Sequence, residues 1–138
     1  MKIDSIQNGV VIDHITAGGG TRLYELLGLD ELTCSVALIR NVPSKKMGRK
    51  DIIKIDAAIS VNLDVIGYVD PDATVNIIRD GALVEKKSIP MPEQLVNVIK
   101  CKNPRCITSC EQELSHIVRL TDRENKVYRC IYCETKAN

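Results

Sequence analysis

The residues best suited to do chemistry are the six cysteines, Cys34, Cys101, Cys106, Cys110, Cys130 and Cys133. Cys101 and Cys106 are separated by four residues and Cys130 and Cys133 by two, with 23 residues between the two clusters. Each short loop brings two sulfurs to one side of a metal, and two such loops complete a tetrahedron of thiolates. That arrangement leaves no open ligand position, so the site is expected to be structural. Zinc fits best, although iron also accepts tetrahedral sulfur. Unrelated buried thiols are the competing explanation, and the regular spacing counts against them. Disulfides explain the pattern less well. The N-terminus, Met1 to Ser5, has no apolar signal core, so the chain is expected to be cytoplasmic, where thiols stay reduced. Cys110 could compete for the metal, but Cys106 suits the knuckle better. Cys34 lies in an apolar run and reads as a small buried hydrophobe.

A second set of groups lies upstream. Lys50 and Lys54 flank the predicted strand Asp51–Ile55, and Lys86 and Lys87 fall in a later one. If the strands pair as hairpins, these lysines converge near a sheet edge, where they can meet phosphate as point charges. Asp13, His14 and Asn76 would add groups able to pair with a ribose hydroxyl or a base edge. Spacing alone makes solvated sheet-edge lysines the simpler reading, and a polyphosphate nucleotide the sharper one. The triplet Gly18-Gly19-Gly20 before a predicted helix could offer amides to a phosphate, but a flexible connection is the plainer reading. No G-x-x-x-x-G-K-[ST] loop and no nucleophile elbow occur. His14 and His116 fall on different predicted domains. Asp13 and His14, adjacent on one strand, should point to opposite faces, which is poor geometry for a catalytic relay.

The elements that must hold these groups follow from composition and pattern. The chain has 138 residues, 44% hydrophobic, with no Trp or Phe and four Tyr, so its core must be aliphatic. A net charge of +1 argues against a strongly basic nucleic-acid binder and an acidic disordered chain. The longest apolar run is four residues, Val36 to Ile39, against roughly 20 for a membrane span. Pro90 and Pro92 mark a boundary. Residues 1–92 carry net −1 and residues 93–138 net +2. The expected organisation is a domain over 1–92, a linker or hinge over 93–100 forming a short helix, and a four-cysteine domain over 101–138. The last is too short to build a core alone and should depend on its metal.

Within the first domain, Lys2–Gln7 and Val10–Ile15 read as strands joined by a type I′ turn at Asn8-Gly9. Thr21 is expected to cap a helix bearing Leu23, Leu26 and Leu27 that Gly28 ends. Thr33–Val42 and Asp51–Asp56 read as strands around a polar loop over 43–50. Asn62–Val69 reads as a helix ended by Asp70-Pro71, and Thr74–Arg79 and Ala82–Ser88 as a hairpin through Asp80-Gly81. The order predicts an α+β, ferredoxin-like domain, an antiparallel sheet with two helices on one face, followed by a small all-β zinc-binding domain.

Four segments, Val11 to Ile15, Met47 to Ile55, Ala73 to Ile78 and the terminal C-x4-C…C-x2-C, together resemble the regulatory chain of bacterial aspartate carbamoyltransferase, in order and at nearly the family's spacing. The resemblance implies a non-catalytic subunit of pyrimidine biosynthesis. Its first domain would bind CTP and ATP as effectors, with UTP in some members. Its second would hold one structural zinc and dock on the catalytic chain. Regulatory chains of this family pair as homodimers. Position by position, the resemblance assigns effector binding to Ile6, Val11, Asp13, His14, Lys54, Asn76, Ile78 and Lys86. Lys54 and Lys86 would meet phosphate and ribose, Asp13 and His14 ribose and triphosphate, and the base would rest near Ile6 and Ile78. Zinc falls on Cys101, Cys106, Cys130 and Cys133. The loop from Lys102 to Arg105 is expected to help contact the catalytic chain. Gly81 stands where better-known members carry an aromatic residue. The strongest competing reading is a nucleic-acid-binding zinc ribbon. Against it stand the near-neutral charge and the presence of only Tyr128 and Tyr132 near the metal for stacking. An amino-acid sensor of the ACT type is disfavoured by the lysines. No membrane partner is expected.

Overall fold

The computed structural model describes residues 6–111 and 113–137. The chain divides into two compact units, Met1–Pro90 and Met91–Asn138. No helix among the described residues is long and apolar enough to cross a membrane.

In the first unit the elements run β1 (Gly9–Thr16), α1 (Gly20–Leu26), β2 (Val36–Ser44), β3 (Gly48–Ile55), α2 (Leu63–Val69), β4 (Thr74–Arg79) and β5 (Ala82–Ser88). The strands form one antiparallel sheet in the order β2-β3-β1-β4-β5. That is the split β-α-β topology with β5 added at an edge. Alternation along the strands sorts the residues by face. Val10, Ile12, Ile53, Ile55 and Val75 are almost fully buried and form the core with Leu23 of α1 and Val65 and Ile66 of α2. The opposite face carries Val11, Lys54, Asn76 and Lys86.

Several local expectations hold. The helix expected over Asn62–Val69 forms as α2, with Asn62 as its cap, accepting from the amides of Asp64 and Val65. Gly28, at φ 67°, ends α1. Asp80 and Gly81 take φ of 53° and 77° in the β4–β5 turn, as a type I′ turn requires.

Others are corrected. Lys2–Gln7 lies mostly outside the described residues. Asn8 and Gly9 do not form the I′ turn, since neither has a positive φ. Instead Gln7 and Asn8 bond to the β4–β5 turn, through Gly81 N to Gln7 O (2.9 Å) and Asp80 N to Asn8 Oδ1 (3.3 Å). Gly9 is required for space, because a Cβ there would stand 2.2 Å from Ile55 O. Thr21 is not the cap of α1. Gly19 is, without a side-chain bond. Cys34 is half-buried in a bend before β2 rather than within a strand. The loop expected over 43–50 shrinks to a tight turn, because β2 runs through Ser44 and β3 starts at Gly48, at φ 79°.

In the second unit β6 (Gln94–Val96), β7 (Ile117–Asp122) and β8 (Val127–Cys130) form an antiparallel sheet in chain order, with one helical turn, α3 (Ile107–Cys110). The linking helix expected within 93–100 does not form. Leu95 pairs with Val118 and is buried while its neighbours Gln94 and Val96 are exposed, a period of two rather than 3.6. Asn97 then takes φ 58°. Val118, Tyr128 and Cys130 complete the buried face, and the Tyr128 hydroxyl donates to Pro92 O at 2.5 Å.

Candidate functional site

Two arrangements stand out, one in each unit. In the second unit Cys101, Cys106, Cys130 and Cys133 bring their sulfurs within 4.8 Å of one another. Cys101 and Cys133 are 3.5 Å apart, and Cys106 and Cys130 are 3.7 Å apart. Zn–S bonds of about 2.3 Å at tetrahedral angles give sulfur–sulfur edges of about 3.8 Å, so these distances fit a shared metal and far exceed a disulfide's roughly 2.05 Å. Cys110 is exposed and outside the cluster, and Cys34 lies in the other unit.

The chain around the sulfurs explains how they converge. Cys130 ends β8, and its carbonyl accepts from Glu134 N (2.9 Å), closing the knuckle with Glu134 at φ 62°. Asn103 closes the first knuckle, its carbonyl accepting from Cys106 N and Ser109 Oγ. Its side-chain amide reaches Thr135 Oγ1 at 3.2 Å, which links the two knuckles. The Thr108 hydroxyl donates to Cys106 Sγ at 3.1 Å. Cys101 N donates to His116 Nδ1 at 3.2 Å, which leaves that ring's proton on Nε2.

The four thiols do not share one acidity. Burial pushes Cys101 up to about 12. Hydrogen bonding from the hydroxyl and then the amide of Thr135 brings Cys133 down to about 6, and the same groups of Thr108 lower Cys106. Four sulfurs this close cannot all ionise by themselves. A divalent cation removes the conflict and holds all four as thiolates.

In the first unit the register builds a transverse row. Val11 of β1 lies opposite both Lys54 of β3 and Asn76 of β4, and Asn76 lies opposite Lys86 of β5. Directly paired residues share a face, so these four stand side by side on the face away from the core. Asp13 and Ile78 lie one step along the same face, Asp13 opposite Thr74 and Ile78 opposite Gly9. Among the described residues neither lysine has an ion-pair partner within 4.0 Å, and Asn76 Oδ1 is buried with no hydrogen-bond partner. Ile6 is almost fully buried, and its Cγ2 fills the space where a side chain at Gly9 would stand.

Two expectations change here. Asp13 and His14 do not point to opposite faces. The pairing slips between Ile12 and Ile15, His14 takes φ 57°, and its Nδ1 lies 4.0 Å from Asp13 Oδ2 and 3.1 Å from Thr74 Oγ1. The lysines do not all converge. Lys87 pairs with Val75 and so faces the other way, near Glu85 at 3.8 Å. Lys50, one of the lysines expected to converge, does stand beside a site residue, its Nζ 2.9 Å from Asp13 Oδ1. Burial raises the Asp13 carboxyl, but Lys50, the His14 amide and the neighbouring positive charge together hold it below its ordinary value.

The glycine triplet does not offer its amides to an outside phosphate. Gly18 N and Gly20 N both donate to Asp51 Oδ2 at 3.0 Å, and Asn41 N donates to Asp51 Oδ1 at 3.0 Å. Asp51 is fully buried, so the anion at this helix start is the protein's own.

Comparison with known proteins bears on both arrangements. The family model for the aspartate carbamoyltransferase regulatory chain, allosteric domain, matches residues 1–90, and that for its metal binding domain matches residues 93–138. An aspartate carbamoyltransferase regulatory chain of Clostridium botulinum is 47% identical over 134 residues, covering 97% of this chain and 92% of its own. One from Clostridium tetani is 46% identical over 135 residues, covering 97% and 94%. One from Bifidobacterium longum is 44% identical over 137 residues, covering 99% of each. With both units matched and relatives aligned along nearly their full length, the chain belongs to the family of aspartate carbamoyltransferase regulatory chains, non-catalytic subunits with an allosteric and a metal-binding domain.

Proposed function

We propose that this chain senses nucleotide triphosphates on the open face of its first sheet and reports them to an aspartate carbamoyltransferase catalytic chain through a zinc-loaded second unit. CTP and ATP are the effectors in this reading, with UTP as a companion of CTP. Regulatory chains pair as homodimers, and the complex works in the cytoplasm in pyrimidine biosynthesis. The observation that carries the reading is the row Lys54–Val11–Asn76–Lys86. Two lysines without carboxylate partners flank a buried amide oxygen that lacks a donor among the described residues. Such an oxygen costs about 1–3 kcal/mol unless something completes it. A nucleotide supplies both the donors and the anion.

CTP and ATP share ribose and triphosphate, so Lys54, Lys86 and Asp13 cannot tell them apart. Discrimination falls to the base, near Ile6 and Ile78. Gly9 is the strand partner of Ile78 and the site against which Ile6 is pressed, so a larger base there displaces the start of β1. Coupling between such sites is typically about 1–3 kcal/mol and requires different affinities for two states. The hinge in this reading is the stretch near Pro90 and Pro92 that leads into the linker over 93–100.

Four cysteines, Cys101, Cys106, Cys130 and Cys133, would hold one zinc, which supplies structure rather than chemistry. The test is calorimetric titration of the metal-loaded chain with CTP and then ATP, with metal measured on the same sample. Competitive binding of both nucleotides, with one zinc per chain, is expected. Zinc without nucleotide binding, even with the catalytic chain added, would sink the effector reading.

A further inference from the structure

The open face of the first sheet changes character along β1. At one end stands the charged pair of Asp13 and Lys50, and next to it the row of Lys54, Val11, Asn76 and Lys86. One step further comes a second row. Gly9 of β1 lies opposite Ile78 of β4, and the slip in pairing after Ile77 sets Leu83 of β5 opposite Ile78. Directly paired residues share a face. Leu83 is 58% exposed, so this row is an apolar strip left open, and Gly9 keeps it flat at β1. Asp13 and Gly9 are four residues apart on one strand, about 13 Å along it. The face therefore suits an anion at one end and a flat apolar group at the other, over about the length of a nucleoside triphosphate.

Beyond the apolar row lies the β4–β5 turn, and Gln7 closes against it. Gly81 N donates to Gln7 O at 2.9 Å. Gly81 has no side chain, and a Cβ there would stand 3.1 Å from Gln7 Oε1 and 3.6 Å from Nε2. The amide of Gln7 thus fills the space beside Gly81. Gln7 is exposed, and among the described residues its side-chain amide has no hydrogen-bond partner. Asn8 next to it is committed, its Oδ1 accepting from Asp80 N at 3.3 Å. The main chain of Gln7 therefore serves the fold, while its side chain offers an acceptor and two donors to whatever rests on the strip.

Resting on the proposed binding of nucleotides to this face, we infer that the Gln7 side-chain amide pairs with the edge of the effector's base. Cytosine and adenine each present an amino donor beside a ring nitrogen that accepts. A glutamine amide meets such an edge with two parallel hydrogen bonds, its oxygen accepting from the amino group and its nitrogen donating to the ring. Turned over, the same amide suits N3–H and O4 of uracil. Lys54, Lys86 and Asp13 hold what the effectors share, and Gln7 holds the part in which they differ. A carboxylate at this position would only accept. It would repel the ring nitrogen of cytosine and adenine and would suit guanine, whose N1–H and N2 amino group are adjacent donors. The residue at position 7 thereby sets which bases the site takes.

The test is calorimetric titration of the zinc-loaded full chain with CTP, ATP and GTP, for the parent, Gln7→Leu and Gln7→Glu, with a urea midpoint for each. Gln7→Leu is expected to weaken CTP and ATP about tenfold or more. Gln7→Glu is expected to weaken both at least as much, and to move the ratio of GTP to CTP affinity about tenfold or more toward GTP. A merely structural role would change all three nucleotides by one factor in Gln7→Glu, and that result would overturn the inference. So would CTP and ATP affinities within about twofold of the parent in both variants, with nucleotide sensing left standing. A parent that binds none of the three would overturn both. Should either variant lose its urea transition, Gln7→Asn carries the test, since it keeps the amide and withdraws it by one methylene. Weakened CTP and ATP with an unchanged urea midpoint would then support the pairing, and unchanged binding would overturn it.

Discussion

The two units solve one problem in different ways. Met1–Pro90 buries an aliphatic layer under a five-stranded sheet, with Ile12, Ile15, Ile53, Ile55 and Ile66 fully enclosed. Met91–Asn138 has a three-stranded sheet and buries few apolar side chains besides Leu95, Val118 and Tyr128. Two of its other buried groups, Cys106 and Cys130, are sulfurs of the cluster. At the centre of the first unit sits an anion matched with backbone amides, Asp51. At the centre of the second sit four potential anions that only a cation can match. The lesson is that a short chain becomes rigid either by enclosing hydrocarbon or by borrowing bond energy from a metal.

Metal removal is the largest expected effect and the sharpest test of that contrast. Apparent binding energies of structural zinc sites are on the order of 10–16 kcal/mol. Chelation, or Cys130→Ser, should abolish the fold of the second unit and leave the first folded. Amide spectra of the full chain would show it, with resonances of β7 and β8 collapsing while those of β1, β3 and β4 stay dispersed. Loss of both sets together would mean that the units are not independent.

The mirror experiment is Asp51→Ala. It strands the amides of Gly18, Gly20 and Asn41 in a buried site. Each unsatisfied group costs about 1–3 kcal/mol, so a loss of at least about 3 kcal/mol is expected. Urea titration should show it in the first unit alone, with metal content unchanged. The site is tight as well as polar, since a Cβ on Gly20 would come within 2.8 Å of Asp51 Oδ2.

These two centres were unequally legible in the sequence. The sulfur cluster could be read directly, because ligand spacing in two knuckles is a local property. The sheet order could be read too, since alternation and the turn at Asp80-Gly81 are local. Asp51 could not. It appears in sequence as one more acidic residue beside a basic loop, and only the fold carries its carboxylate to the start of α1. Asp13 and His14 misled for a related reason. Strict alternation separates them, and the slip in pairing before Ile15 that reunites them leaves no mark in composition. The segment before Cys101 misled because apolar residues at 95, 96, 98 and 99 suit a short helix as well as a strand, and pairing with β7 decides.

Next in size is a pair of substitutions on the open face. Lys54→Ala removes a charge-assisted contact worth about 1.5–3 kcal/mol. It should weaken CTP and ATP alike by roughly 10- to 100-fold by calorimetry, with no change in folding. Unequal losses would place Lys54 against the base rather than the phosphates. Asn76→Leu discriminates further. A residue kept for the fold should destabilise when its amide is removed. An amide oxygen that lacks a donor should not, because the change removes a buried unsatisfied group. Unaltered or improved stability together with weakened nucleotide binding is the expected combination. A clear loss of stability would mean that Asn76 serves the fold.

The smallest expected effect concerns Asp13, and its sign follows from linkage. Its carboxyl is held below the ordinary value in the folded chain, with burial opposing and Lys50 and the His14 amide prevailing. The folded state therefore binds fewer protons than the unfolded one as pH falls through the carboxylate range. Stability from this group is fully present above about pH 4, the ordinary aspartate value. It is lost as pH falls through the lower folded value. The pair with Lys50 is partly open to solvent, the two side chains being 20% and 16% exposed, so screening limits the effect to about 1 kcal/mol or less. Urea midpoints of the parent and of Asp13→Asn should differ slightly at neutral pH and converge as the carboxylate is protonated. A gap that persisted in acid would assign Asp13 a packing role instead. High salt at neutral pH should narrow the same gap, because an ion pair on an open sheet face is screened where the enclosed Asp51 is not.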